Sequence, residues 1–136
     1  MAEPRAFISF DYDHDDTQRD LFVGQGKNQR TPFNFEDWSS KGKLPQAEWE
    51  KLVEEKISKC NMVIVLVGRD MTSATGVAKE IAMAIRNDVP VFGVYVDGAN
   101  ASSALPYNLP RGRIINWKWD AIAAAIDQMM GEGKNA

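Results

Sequence analysis

Residues 61–68, NMVIVLVG, constrain the fold more than any other stretch of the chain. From Met62 to Val67 no polar residue interrupts the run, and β-branched side chains dominate it. A strand with one wet face alternates apolar and polar residues. A short run without alternation belongs in the middle of a parallel sheet covered on both faces by helices. The chain therefore reads as α/β. After Gly68 comes a polar loop, and then a helix in which Val77, Ala78, Ile81, Ala84 and Ile85 fall on one face and Lys79, Met83 and Arg86 on the other. Glu80 is expected on the shoulder between them. Its neighbours one turn away are Gly76, Val77, Met83 and Ala84, so no Lys or Arg stands at helical spacing to pair with it.

The same reading extends in both directions. Arg5–Phe10 (RAFISF) is expected as the first strand, opening into Asp11, Tyr12, Asp13, His14, Asp15 and Asp16, whose carboxylates suit the positive end of a following helix carrying Leu21, Phe22 and Val23. Thr31–Trp38 (TPFNFEDW) alternates, and Pro32 keeps it at the edge of the sheet. Asp37–Pro45 (DWSSKGKLP) has the composition of a mobile loop. Pro45 opens an amphipathic helix with Trp49, Leu52, Val53, Ile57 and Cys60 as its buried stripe and Glu50, Glu54, Glu55 and Lys56 mostly outside.

Beyond the Glu80 helix, Asp88 and Pro90 mark a turn into a fourth strand, Val91–Val96. A fifth is expected at Arg113–Trp117. A last helix uses Trp119, Ile122, Ala123, Ile126, Met129 and Met130. Five strands alternating with helices predict a flavodoxin-like three-layer sandwich with a five-stranded parallel sheet in the order 2-1-3-4-5. Ligands of such sheets bind at the C-terminal edge, between strands 1 and 3. That rule gathers Phe10–Tyr12, Phe35–Ser39, Gly68–Met71 and Glu80 around one mouth.

Composition narrows the possible partners. At 136 residues one domain is expected, and a net charge of −3 gives no electrostatic case for nucleic acid or an anionic membrane. MAEPRAFISF lacks the pattern of a signal peptide, which with the lone Cys60 points to the cytoplasm. One cysteine and one histidine do not make a zinc site, and Cys60 reads as a buried small hydrophobe, so no metal is expected. The acidic loop invites a phospho-receiver reading. That reading fails because Val67-Gly68 stands where the central strand would have to end in an aspartate. The segment TSATG at 72–76 follows the third strand rather than the first, so it fits a helix cap through Ser73 or Thr75 better than a flavin phosphate loop.

RAFISFDY with its acidic loop, and GRDMTSATGVAKEI at 68–81, together resemble the TIR-like (Toll/interleukin-1 receptor fold) proteins of the bacterial Thoeris antiphage system. The resemblance covers most of the chain as one TIR-like domain, residues 1–136. It implies a flavodoxin-like fold and an enzyme that cleaves NAD at the nicotinamide–ribose bond, with NAD as substrate and no resident cofactor. It makes Glu80 the catalytic residue. Phe10, Asp11 and Tyr12 would line the nicotinamide–ribose pocket, with Asp37 and Trp38 at a closing loop and Arg69 among the substrate-binding groups. The product would be a cyclic or conjugated ADP-ribose signal that activates a separate effector, with self-association or like TIR domains as further partners. The same resemblance allows a non-catalytic interaction scaffold. Gly76 departs from the family pattern, since many TIR enzymes carry a Trp four residues before the catalytic Glu.

Overall fold

A computed structural model describes residues 4–10, 21, 36–37, 46–68, 75–96, 98–100, 105–106 and 109–132; the side chains at 36, 37, 46, 47 and 75 are not among those described. The order of elements is β1 (Arg5–Ser9), β2 (Glu36–Asp37), α1 (Gln46–Lys59), β3 (Met62–Val67), α2 (Thr75–Arg86), β4 (Val91–Tyr95), a 3-10 turn at Arg111–Arg113, β5 (Ile114–Ile115) and α3 (Trp119–Glu132). The strands pair in parallel in the order β2-β1-β3-β4-β5. The outer two contribute two residues each. The parallel α/β sheet expected from the apolar run is present, and β3 is buried at all of its positions.

Side-chain parity divides the core into two halves. Even positions of the inner strands (Ala6, Ile8, Met62, Ile64, Leu66, Phe92, Val94) face α3, which covers them with Ile122, Ile126 and Met129. Odd positions (Phe7, Val63, Val65, Val67, Val91) face α1 and α2, which supply Val53, Ile57, Val77, Ile81 and Ala84. The result is three layers: helix α3, the sheet, and helices α1 with α2.

Three assignments of the helical faces need correcting. In α2, Met83 is buried and Ile85 is 54 % exposed, the reverse of the expected sides. The stripe that meets the sheet runs through Val77, Glu80, Ile81 and Ala84, and Ile85, about 40° beyond Ile81 on the side away from Glu80, points away. In α1 the row Trp49–Val53–Ile57 makes the contact at i, i+4 spacing, so Leu52 is 39 % exposed. In α3, Trp119 lies at the first turn, 44 % exposed, and burial begins with Ile122. Cys60 is a buried cysteine outside any disulfide, as expected.

The strand ends also shift. β1 stops at Ser9 and β4 at Tyr95. Arg113, expected to open β5, closes a 3-10 turn instead, because its guanidinium reaches back to the carbonyl of Val91 and across to Glu132. The expected helix after the acidic loop, most of the strand at 31–38 and the loop Asp37–Pro45 lie outside the described residues. Among the described residues no helix is long and apolar enough to cross a membrane.

Candidate functional site

Glu80 is not on a shoulder. It lies in the middle of the buried stripe of α2, with 8 % of its surface exposed. The earlier observation that its i±3 and i±4 neighbours are Gly76, Val77, Met83 and Ala84 is the reason: the side of the helix that holds those four is the side against the sheet. Its partner is Ser9, the last residue of β1, whose Oγ donates to Glu80 Oε1 at 2.6 Å. Ser9 is itself fully buried. A hydrogen bond from a hydroxyl to a carboxyl oxygen is shorter and stronger when the carboxyl is ionised, so this contact favours the charged form of Glu80.

Parity explains how the two groups meet. Ser9 follows Phe7 on the odd side of β1, level with Val65 of β3, so its side chain points at the α1–α2 layer. It occupies a position where this face of the sheet is otherwise apolar. Sequence reading missed Ser9 because it passed as one polar residue within a strand. The signal was available in its alternation with Phe7 once β3 identified both faces as buried.

Removal from water is the dominant electrostatic fact here. Burial pushes the Glu80 carboxyl up to about 8 from its ordinary value of 4.5, and the Ser9 hydrogen bond works against that rise. No Lys or Arg pairs with Glu80 among the described residues. The nearest cations along α2 are engaged elsewhere. Lys79 Nζ lies 2.9 Å from Glu50, and Arg86 grips Glu54 through two nitrogens at 2.7 and 2.6 Å. Asn87 adds a further bond to Glu54 at 2.9 Å. Those hydrogen bonds from Arg86 and Asn87 hold the Glu54 carboxyl down at about 2. Together with Val53 and Ile57 packed on Ile81 and Val77, they fix α2 against α1 and so fix where Glu80 stands.

The other expected site residues are distributed unevenly. Phe10 immediately follows Ser9, but its ring belongs to the core on the opposite face, among Ala6, Ile8, Val94 and Val96. The structure therefore does not bring it together with Glu80. The backbone of Asp37 sits in β2 level with Ala6, three residues along β1 from Ser9, or about 10 Å. Asp11, Tyr12, Trp38 and Arg69 lie outside the described residues. At Gly76, one turn before Glu80, a Cβ would come within 4.0 Å of the indole of Trp49, so an aromatic ring from α1 borders the space left by the missing side chain. A groove of about 250 Å³ lined by Ile85, Val89, Pro90, Val91 and Leu109 lies at the start of β4, at the opposite edge of the sheet from Ser9.

The family model for the Thoeris protein ThsB, TIR-like domain, matches residues 7–101. The chain belongs to that family. No curated protein matches it. The matched span of the TIR-like domain begins at Phe7 and runs past β4, so it includes both Ser9 and Glu80 and stops short of β5 and α3. In this TIR-like domain the buried carboxylate thus lies within the part held in common with the family, and the helix that covers the other face does not.

Proposed function

We propose that this TIR-like domain cleaves NAD at the nicotinamide–ribose bond, with Glu80 as the catalytic carboxylate, and that the ADP-ribosyl product serves as a cyclic or conjugated nucleotide signal in bacterial antiphage defence. One observation carries the reading. A carboxylate is buried beneath the C-terminal end of β1, bonded to a hydroxyl and to no cation among the described residues, in a core where apolar side chains would be more stable.

The chemistry suits such a group. As the C1′–N bond breaks, its electron pair leaves with nicotinamide, which changes from a pyridinium cation to a neutral base. Positive charge then develops on the ribose. A carboxylate in a poorly solvated site stabilises that charge far better than one in water. The cation at C1′ is captured by an oxygen or nitrogen nucleophile, which gives up a proton: water in simple hydrolysis, or a group of the same or a second nucleotide in cyclisation or conjugation. A bound pyridinium also favours the ionised form of Glu80, lowering its affinity for protons when the substrate is in place. Asp11, Tyr12, Asp37, Trp38 and Arg69 are proposed as the substrate-binding groups around it, and Phe10 contributes by setting the path of the chain into that loop. A separate effector would respond to the product, and self-association with like domains would complete the assembly.

The test is mass spectrometry of purified protein with NAD at high protein concentration, comparing the wild type with Glu80→Gln. The substitution keeps the shape of the side chain and removes its charge. Release of nicotinamide and a new ADP-ribose species by the wild type, reduced at least a hundredfold in the variant, is the expected result. Turnover by neither, with phage-infected extract present, would point to a TIR-like interaction scaffold.

A further inference from the structure

We infer that Ser9 is a positioning residue for Glu80: its hydroxyl anchors Oε1 so that Oε2 is presented to the substrate, and it favours the ionised form of the carboxylate that the cleavage requires. The inference rests on the proposed NAD cleavage but stands on geometry of its own. Ser9 is fully buried, it projects into the α1–α2 face at a position flanked by Phe7 and Val65, and its Oγ is 2.6 Å from Glu80 Oε1. A buried hydroxyl that donates to a carboxylate stabilises the charged form over the neutral one.

Few other groups can take that role. β3 brings no titratable residue against α2, and β4 brings only Tyr95 at its far end. The one charged residue of β1, Arg5, lies at the opposite end of the strand and donates to the carbonyl of Lys59. From α1, Glu50 and Glu54 face α2 but are taken up by Lys79 and Arg86 at the surface. Among the described residues the state of Glu80 is therefore set by two opposed influences, burial and Ser9. Burial favours the neutral acid. Ser9 is the part of the fold that resists it.

Three variants test the inference: Ser9→Ala removes the donor, Ser9→Cys replaces it by a weak one of nearly the same size, and Ser9→Thr retains it. The rate of NAD cleavage is followed from pH 6 to 9.5, and the Glu80 carboxyl is titrated by ¹³C NMR in the same proteins. For Ser9→Ala the rise of kcat with pH should move upward by about one pH unit, lowering kcat about tenfold near neutrality while KM changes little. Activity returns above pH 9. Ser9→Cys should shift in the same direction by less, and Ser9→Thr should restore the wild-type profile. Loss of activity by the same factor at every pH, with the midpoint unmoved, would make Ser9 a packing residue only and overturn the inference. The carboxyl titration separates this result from failure of the enzymatic reading. If the wild type does not cleave NAD but the Glu80 midpoint still rises in Ser9→Ala and Ser9→Cys, the link between the two residues holds and the NAD reading falls. If Ser9→Ala fails to fold, Ser9→Cys carries both measurements, and an unchanged midpoint there overturns the inference.

Discussion

The two faces of the sheet are built from the same strands and differ in purpose. The face under α3 is apolar throughout, from Ala6 and Ile8 through Met62, Ile64 and Leu66 to Phe92 and Val94, closed by Ile122, Ile126 and Met129. Among the described residues the face under α1 and α2 departs from that pattern at two notable places. It carries the Ser9–Glu80 pair, and it carries Gly93, a side-chain-free position between Val67, Ile114 and Leu109. A buried carboxylic pair stabilises a fold less than apolar residues of similar volume. The comparison teaches that the α2 side gives up some stability to hold a titratable group away from water.

The largest way to sharpen that contrast is pH. The carboxyl of Glu80 lies at about 8 in the folded chain and near 4.5 when unfolded, so between those values the folded state holds a proton that the unfolded state lacks. Its contribution is fully present below about 4.5, declines as pH rises towards 8, and is flat above it. The fall amounts to on the order of 5 kcal/mol at about 1.36 kcal/mol per unit. Denaturant unfolding at pH 5.5, 7 and 9 should show it. Glu80→Gln should remove most of the slope, so that the variant is more stable than the wild type at pH 9. A slope that survives in Glu80→Gln would mean that the unequal faces do not explain it. Glu54 works in the opposite sense: its carboxyl is held below the usual range, so its support is lost only as pH falls below 4.5 towards about 2. It lies at the surface of the α1–α2 contact and adds nothing to the alkaline slope.

Gly93 gives the next effect in size. A methyl group there would stand 3.1 Å from Val67 Cγ2 and 3.2 Å from side-chain carbons of both Ile114 and Leu109, three packed groups that would all have to give way together. Gly93→Ala should cost about 1–3 kcal/mol through overpacking, read as a lower denaturation midpoint with the slope unchanged. A neutral result would show that the α2 face is looser at its β4–β5 end than the burial of Val67 and Leu109 implies.

How much of this was legible beforehand follows from the same parity. The uninterrupted run Met62–Val67 pointed to a parallel sheet covered on both sides, because a run this short, rich in β-branched residues and closed by Gly68, suits a strand buried on both faces better than a helix. Glu80 was found as an unpaired carboxylate, but its depth was misjudged. A helix pattern read by hydrophobicity alone assigns a Glu to the rim, whereas the four neighbours at one-turn spacing place it in the buried stripe. Ile85, Leu52 and Trp119 failed in the opposite way: each is apolar, and each falls off the contact row that neighbouring helices and strands define. Ser9 was hidden by length. Five residues of strand carry too little alternation to show that a hydroxyl points into a core, until the second strand and the helix above it are placed.

The smallest effect tests whether the two ends of α2 are independent. Asp88, in the turn that follows the helix, has φ 56°, the left-handed conformation that costs a residue with a Cβ and that Gly adopts freely. Its amide donates to the carbonyl of Ile85, so the turn also closes the helix end. Asp88→Gly should therefore stabilise the fold by up to about 1 kcal/mol, the gain in native conformation being partly offset by the greater freedom of an unfolded glycine. Residue 88 is about 12 Å along the helix from Glu80, beyond the range at which substitutions normally couple. Measured at pH 9, the double variant Asp88→Gly, Glu80→Gln should therefore gain the sum of the two single effects. A sum that falls short by more than about 0.5 kcal/mol would mean that relieving the turn shifts α2 against β1 and disturbs the Ser9–Glu80 contact, and the helix end would then belong to the site.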